Sequence, residues 1–387
     1  MNLFLFLGIA FFFTFFAGRL IEKIKVPWIF SALIFGSIIS LYNPFPEITS
    51  SETFSFMAQM GMYFLLFVIG FEIELKEFRK ASRFFVNATF FIILLEAAVG
   101  SLLIHYIFGY EWIVSIVVAS SFATVGEAIL LPILDEFRMV NTKLGQSIIA
   151  IGTLDDIIEI LVLILAVIMV GLTKSVQLNY TLLFSSLAAL FILPFLLVRF
   201  KERNGRFNFL RIEMLFLFII FILFIFLGIG QYANATAIAA LLAGIGLKAF
   251  LPKNRLEAIE SEVKTMCYGF FAPIFFLWAG TTIDMRYIFT SPLLVLLIVG
   301  VTAAAKLLGS FIVGFRYMGL KNSLLLGIGL SVRFSTSIVI VKLLFDNGII
   351  EENLYSVIIA STIVFTFLIP IIFSNLVSKL GIVKKKA

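Results

Sequence analysis

The sequence predicts an all-α polytopic membrane protein of about 13 transmembrane helices. Three observations carry this reading. Of 387 residues, 61% are hydrophobic and only 13% are charged. The mean hydropathy is +1.13. Apolar stretches long enough to cross a hydrocarbon core of about 30 Å recur along the whole chain. Soluble domains are about 45–50% apolar and about 25% charged, so a soluble globule is excluded; low-complexity disorder is excluded on the same grounds. The 47 phenylalanines fit lipid-facing helices. A lone cysteine, Cys267, rules out a disulfide framework or a cysteine metal cluster. A lone histidine, His105, leaves no histidine-rich metal site and reads as an interface residue.

The first span, 2–18, lacks the basic n-region and small-residue cleavage site of a signal peptide, so it is expected to be retained. Further spans are expected at 26–41, 54–71, 84–108, 112–134, 144–172 and 180–198. Six more follow at 212–231, 233–251, 266–283, 292–315, 322–345 and 354–377. The second is short enough to be tilted or partly re-entrant. The stretch 212–251 is split at "GQYANATA" because it is too long for one crossing.

Loop charges test this count. With the N-terminus outside, only Lys174 and Arg286 fall in outer loops, and Lys306, Arg333 and Lys342 fall inside spans. The remaining members of the 29 lysines and arginines all fall in inner loops or the basic tail "KLGIVKKKA". That asymmetry is the positive-inside pattern, and a single miscounted span would scramble it. The net charge of +6 therefore belongs to membrane topology and does not indicate a nucleic-acid partner. The expected topology is N-terminus out and C-terminus in, in a bacterial inner membrane. Residues 1–387 are expected to form one transmembrane domain without a soluble regulatory domain.

Six spans, one connecting span and six more would relate two halves of opposite orientation, as inverted repeats. The fifth span, "SSFATVGEAILLPIL", and the twelfth, "LSVRFSTSIVIV", each carry a Ser/Thr/Gly cluster and a mid-membrane charge. Such clusters weaken a helix and offer its backbone alternative hydrogen bonds, so both spans are expected to be broken. Glu127 and Arg333 would then offset the exposed half-helix dipoles.

An ionised Asp at the centre of a membrane helix costs roughly 2.5–3.5 kcal/mol, so buried charges mark cavities or partners. "GTLDDIIEI" places Asp155, Asp156 and Glu159 in an otherwise uncharged run. Consecutive residues on a helix point about 100° apart, so Asp155 and Asp156 cannot face one partner. One carboxylate would pair with a cation while the other lines a cavity. Lys306 lies too deep to snorkel, and pairing with Asp155 would make it a switchable proton site. A permanent structural ion pair is the alternative. Glu159 would neutralise a nearby base or join the ion site, alongside Thr153. Glu96, alone in the fourth span, is either a core-facing neutral acid or part of that site. Lys342 is expected to snorkel outward.

At this point four stretches resemble the Kef/NapA branch of bacterial monovalent cation/proton antiporters, in the sodium/hydrogen exchanger family. They are "LLFVIGFEIELKEFRK", "GTLDDIIEI", "YGFFAPIFFLWAGTTIDM" and "AKLLGSF", in the family's order and spacing. The likeness covers nearly the whole chain. It implies an NhaA/NapA-like fold of inverted repeats with two crossed broken helices. It further implies that Asp156 binds the transported Na+ or a proton, that Asp155 partners Lys306, and that Thr124 lies at the crossing. Residues 84–172 and 292–380 would form the core ion-binding bundle. Residues 1–80 and 210–285 would form a dimerisation scaffold, joined to the core by a connecting helix at 180–200, with elevator movement between the two.

The sequence departs from the family pattern in the twelfth span, usually PRGExxLvi but here "VRFSTSIVI". Arg333 is kept, while Phe334 and Ser335 replace Gly and Glu. Glu127 adds an acid where the fifth span is often neutral, which reads as a compensating swap.

The expectation is a secondary antiporter exchanging Na+ (or Li+) for protons, with both competing at Asp156. It would act in pH homeostasis as a homodimer, with no cofactor and no enzymatic activity. The resemblance further implies electrogenic exchange, with more than one proton per cation. Potassium/proton exchange is the alternative. The Asp pair and the lack of a C-terminal nucleotide-binding domain argue against a glutathione-gated potassium system. A gated cation channel, or a receptor module with a vestigial site, stands further off.

Overall fold

The computed structural model of the protein describes residues 2–24, 26–72, 82–126, 130, 133–134, 137, 139–173, 189, 192–194, 211–232, 235–251, 253–333 and 335–379. Among these residues the chain is helical, with no strand. The first half contains α1 (Leu3–Glu22), α2 (Phe30–Leu41), the single turn α3 (Pro46–Thr49) and α4 (Glu52–Glu72). It continues with α5 (Arg83–Phe108), α6 (Trp112–Ala123) and α7 (Lys143–Thr173). The second half contains α8 (Ile212–Tyr232), α9 (Thr236–Phe250), α10 (Lys253–Met266) and α11 (Ala272–Thr281). The short α12 (Met285–Thr290) leads to α13 (Pro292–Leu330), α14 (Ser335–Asp346) and α15 (Glu352–Lys379). Seven described helical stretches are long and apolar enough to cross a membrane, so the protein is multi-pass. Nearly all of the expected span 180–198 lies outside the described residues.

Local chemistry sets the helix ends. Asn2 caps α1 by accepting the Leu5 N–H at 2.9 Å. Ser82 does the same for α5, which stops at Gly109 in the left-handed conformation (φ 74°). His105 lies in the last turn at that end, stacked on Trp112 with ring centroids 4.0 Å apart.

Two boundaries differ from the sequence expectation. α10 and α11 are continuous through a π-turn at Cys267–Phe271, so the helix begins at Lys253, well before the apolar run. Pro273 has no N–H to give the turn before it, and a π-turn absorbs that break. The charged start is held by Lys264, which pairs with Glu72 of α4 at 2.7 Å and Glu260 at 2.6 Å. α13 is two helices meeting at Gly319, whose φ of 79° ends one and starts the next. That turn separates the expected eleventh and twelfth spans.

The helices pack as two groups. α9 lies along α4 and α11 along α2, with α1 and α8 attached to them. α5, α6, α7, α13, α14 and α15 pack on one another, and α12 touches both groups. In the first group two glycine pairs let backbones meet. A Cβ on Gly70 would sit 2.2 Å from the Leu241 carbonyl oxygen, and one on Gly244 would sit 2.2 Å from that of Phe67. The α2–α11 crossing repeats this with Gly36 and Gly280. Small residues that allow close approach are how membrane helices gain van der Waals contact, since lipid gives no hydrophobic drive between them. Outward faces carry large apolar side chains such as Phe4, Leu94, Ile113 and Leu217.

Candidate ion-binding centre

The centre of the second group is built on two helix breaks. α6 ends at Ala123, and Thr124 is extended (φ −68°, ψ 163°). α13 ends at Leu330, and the chain leaves helical geometry before α14 starts at Ser335. The two unwound stretches cross, with the Gly126 N–H donating to the Val332 carbonyl at 2.8 Å. A break at mid-membrane leaves backbone groups that have no water to bond, so each needs a protein partner.

Those partners are the buried charges. The Val125 N–H donates to Asp155 Oδ2. The last carbonyls of α6, its negative dipole end, receive cations: Lys306 Nζ bonds the Ala123 oxygen and Arg333 Nη1 the Phe122 oxygen. Glu96 lies between these two bases, 2.8 Å from Lys306 Nζ and 2.7 Å from Arg333 Nη2. Arg333 also donates to Thr302 Oγ1 at 3.0 Å and stacks over Phe365 at 4.2 Å. Its own carbonyl accepts from the Thr366 hydroxyl at 2.9 Å.

This arrangement corrects the expected Asp155–Lys306 pair. Lys306 of α13 makes its contact ion pair with Glu96 of α5, while Asp155 only lies within its field. The compensating acid for Arg333 is likewise Glu96; Glu127 lies outside the described residues, as does the side chain of Ser335. Asp155 is fully buried, and its Oδ1 has no hydrogen-bond partner among the described residues. Asp156, on the adjoining face of α7, is only partly buried. Glu159 is buried one turn on, with its carboxyl facing the hydroxyls of Thr124 and Thr336. The Thr153 hydroxyl bonds back to the Ile149 carbonyl at 2.9 Å.

Lys342 is a second correction. It is fully buried instead of snorkelling, its ammonium 3.6 Å from the centroid of the Trp278 ring and paired with Asp346. The sequence signal for that pair was the i,i+4 spacing of a Lys and an Asp on one helix.

Crossed broken helices lined by buried, compensated charges define a membrane transporter of small ions. The model of the transmembrane sodium/hydrogen exchanger family matches residues 9–379, so the chain belongs to that family. It is 28% identical over 374 residues to a probable Na+/H+ antiporter 3 of Methanocaldococcus jannaschii, covering 94% of this chain and 93% of that one. It is 24% identical over 279 residues to the glutathione-regulated potassium-efflux protein KefC of Shigella flexneri, covering 69% of this chain but 43% of KefC. The fold matches that of the sodium proton antiporter MjNhaP1 of M. jannaschii with a TM-score of 0.64, over 97% of both chains at 17% identity.

Proposed function

We propose that the protein exchanges Na+ (or Li+) for protons, with ion and proton competing for Asp156. The observation that carries this reading is the acid pair at the crossing of two broken helices. Asp155 is tied to the Val125 N–H, and Asp156 beside it is only partly buried. A carboxylate that is costly to bury charged readily takes up either a proton or a metal ion.

The described charges around the crossing are the acids Glu96, Asp155, Asp156 and Glu159 and the bases Lys306 and Arg333. Lys306 is held by Glu96, which favours one proton per cation over the electrogenic exchange that the resemblance implies.

The two packing groups support a division into a moving core (84–172 and 292–380) and a dimerisation scaffold (1–80 and 210–285). The glycine crossings support inverted repeats. α2–α11 and α9–α4 are the same contact in the two halves if α2 corresponds to α9 and α4 to the helix through α11. The inner-loop bias of Lys and Arg supports an N-terminus outside and a C-terminus in the cytoplasm.

The test is sodium-induced dequenching of a proton gradient in proteoliposomes. Wild-type protein gives a Na+-dependent signal that saturates, and Asp156→Asn protein gives none. Full flux from the Asn variant overturns the assignment. Potassium/proton exchange is the second reading, favoured by the likeness to KefC, and is separated by running Na+, Li+ and K+ side by side across pH.

A further inference from the structure

A cavity of about 360 Å³ lies where the two packing groups meet, at the last turns of α7 and α14 and the first turn of α9. These ends are remote from Lys143 and Lys248, so the cavity opens on the face away from the basic loops. Its polar lining is Gln59, Tyr63, Gln231, Thr236, Asn347 and Asp346. Amide, hydroxyl and carboxylate oxygens are hard ligands that suit a small inorganic cation. Among the described residues Asp346 brings the one charge to this lining, and its side chain is 27% exposed.

Behind Asp346, away from the cavity, lies Lys342. Its ammonium bonds Asp346 Oδ1 and rests on the Trp278 ring of α11, so a side chain of α14 fastens one packing group to the other. Cation–π contacts of this kind strengthen when desolvated. A second cation on the same carboxylate would repel the ammonium and loosen that attachment.

We propose that this cavity is a second monovalent-cation site, where an inorganic ion and the Lys342 ammonium compete for Asp346, and that Lys342 fastens α14 to Trp278 when no ion is bound. The kind of ion rests on the exchange reading above.

The binding test is made in a background without exchange. In full-length Asp156→Asn protein in detergent, added Na+ raises the melting temperature, and a further Asp346→Asn change removes that rise. Sidedness is then measured with Asp156 intact, in right-side-out and everted vesicles. Asp346→Asn and Gln59→Leu each raise the apparent KM for Na+ several-fold on the cavity face and leave it unchanged on the other. Lys342→Met lowers it on the cavity face only. Gln59→Leu leaves the ion pair intact, so it decides the matter if the charge variants do not fold. An unaltered KM on the cavity face in a folded variant, an equal shift on both faces, or no melting shift in the Asp156→Asn background overturns the proposal. Absent exchange in wild-type vesicles alongside a retained Asp346-dependent melting shift would instead sink the antiport reading alone.

Discussion

The charged centre around Glu96 and the glycine crossings of α4–α9 and α2–α11 are equally buried, yet they are held together by opposite means. At the crossings uncharged glycines meet, and backbones approach until a single Cβ would meet a carbonyl oxygen at 2.2 Å. At the centre the backbone is broken, and its freed groups are satisfied by titratable side chains from other segments of the chain. The first device gives a rigid contact with one arrangement. The second leaves carboxylates whose occupancy can change, which is what an exchanger requires.

The largest effect expected is on transport, not on folding. Asp156→Asn should reduce Na+-driven proton flux to that of empty liposomes while the melting temperature changes little. A comparable loss from Gly70→Ala in folded protein would break the contrast. Next is Glu96→Gln, which strands Lys306 and Arg333 without their shared carboxylate. Removing one partner of a buried ion pair costs about 3–5 kcal/mol, read as a lowered melting temperature, and Glu96→Asp should recover part of it. If Glu96→Gln is neutral, the two bases have another partner and the centre has been misread. Gly70→Ala or Gly244→Ala should cost about 1–3 kcal/mol by overpacking, measured as thermal or denaturant stability in detergent. Thr302→Val removes one hydrogen bond to the Arg333 guanidinium and should cost about 1.5–3 kcal/mol at most, at the low end because Glu96 still holds Arg333. Finally, the reversal point of exchange against imposed ion gradients should sit at one proton per cation. A ratio of two would return Lys306 to the proton-carrying role that the sequence assigned it.

The membrane class, the positions of several spans and the sites of the two breaks were legible in the chain because they follow from local quantities. Hydropathy over about 20 residues finds a span, and a Ser/Thr/Gly cluster with a charge finds a weak point in it. The same local reasoning flagged Glu96, Asp155, Asp156, Glu159, Lys306 and Arg333 as residues that need partners. It also misplaced the start of the tenth span, because a polar helix such as α10 has no hydropathy signal to show that it runs on into an apolar one.

Which partner each charge of the centre takes was decided by tertiary structure alone. Arg333 and Glu96 are 237 residues apart, and nothing in either helix says which face of the other it will meet. Lys342 shows the same limit: its long side chain allowed snorkelling, and only the placement of Trp278 on a neighbouring helix made a buried seat available. The sequence by itself determined where charge must be compensated, since desolvation is a property of each residue at its depth. The tertiary structure decided how, because an ion pair depends on distances of a few ångströms that only the packing of separate helices sets.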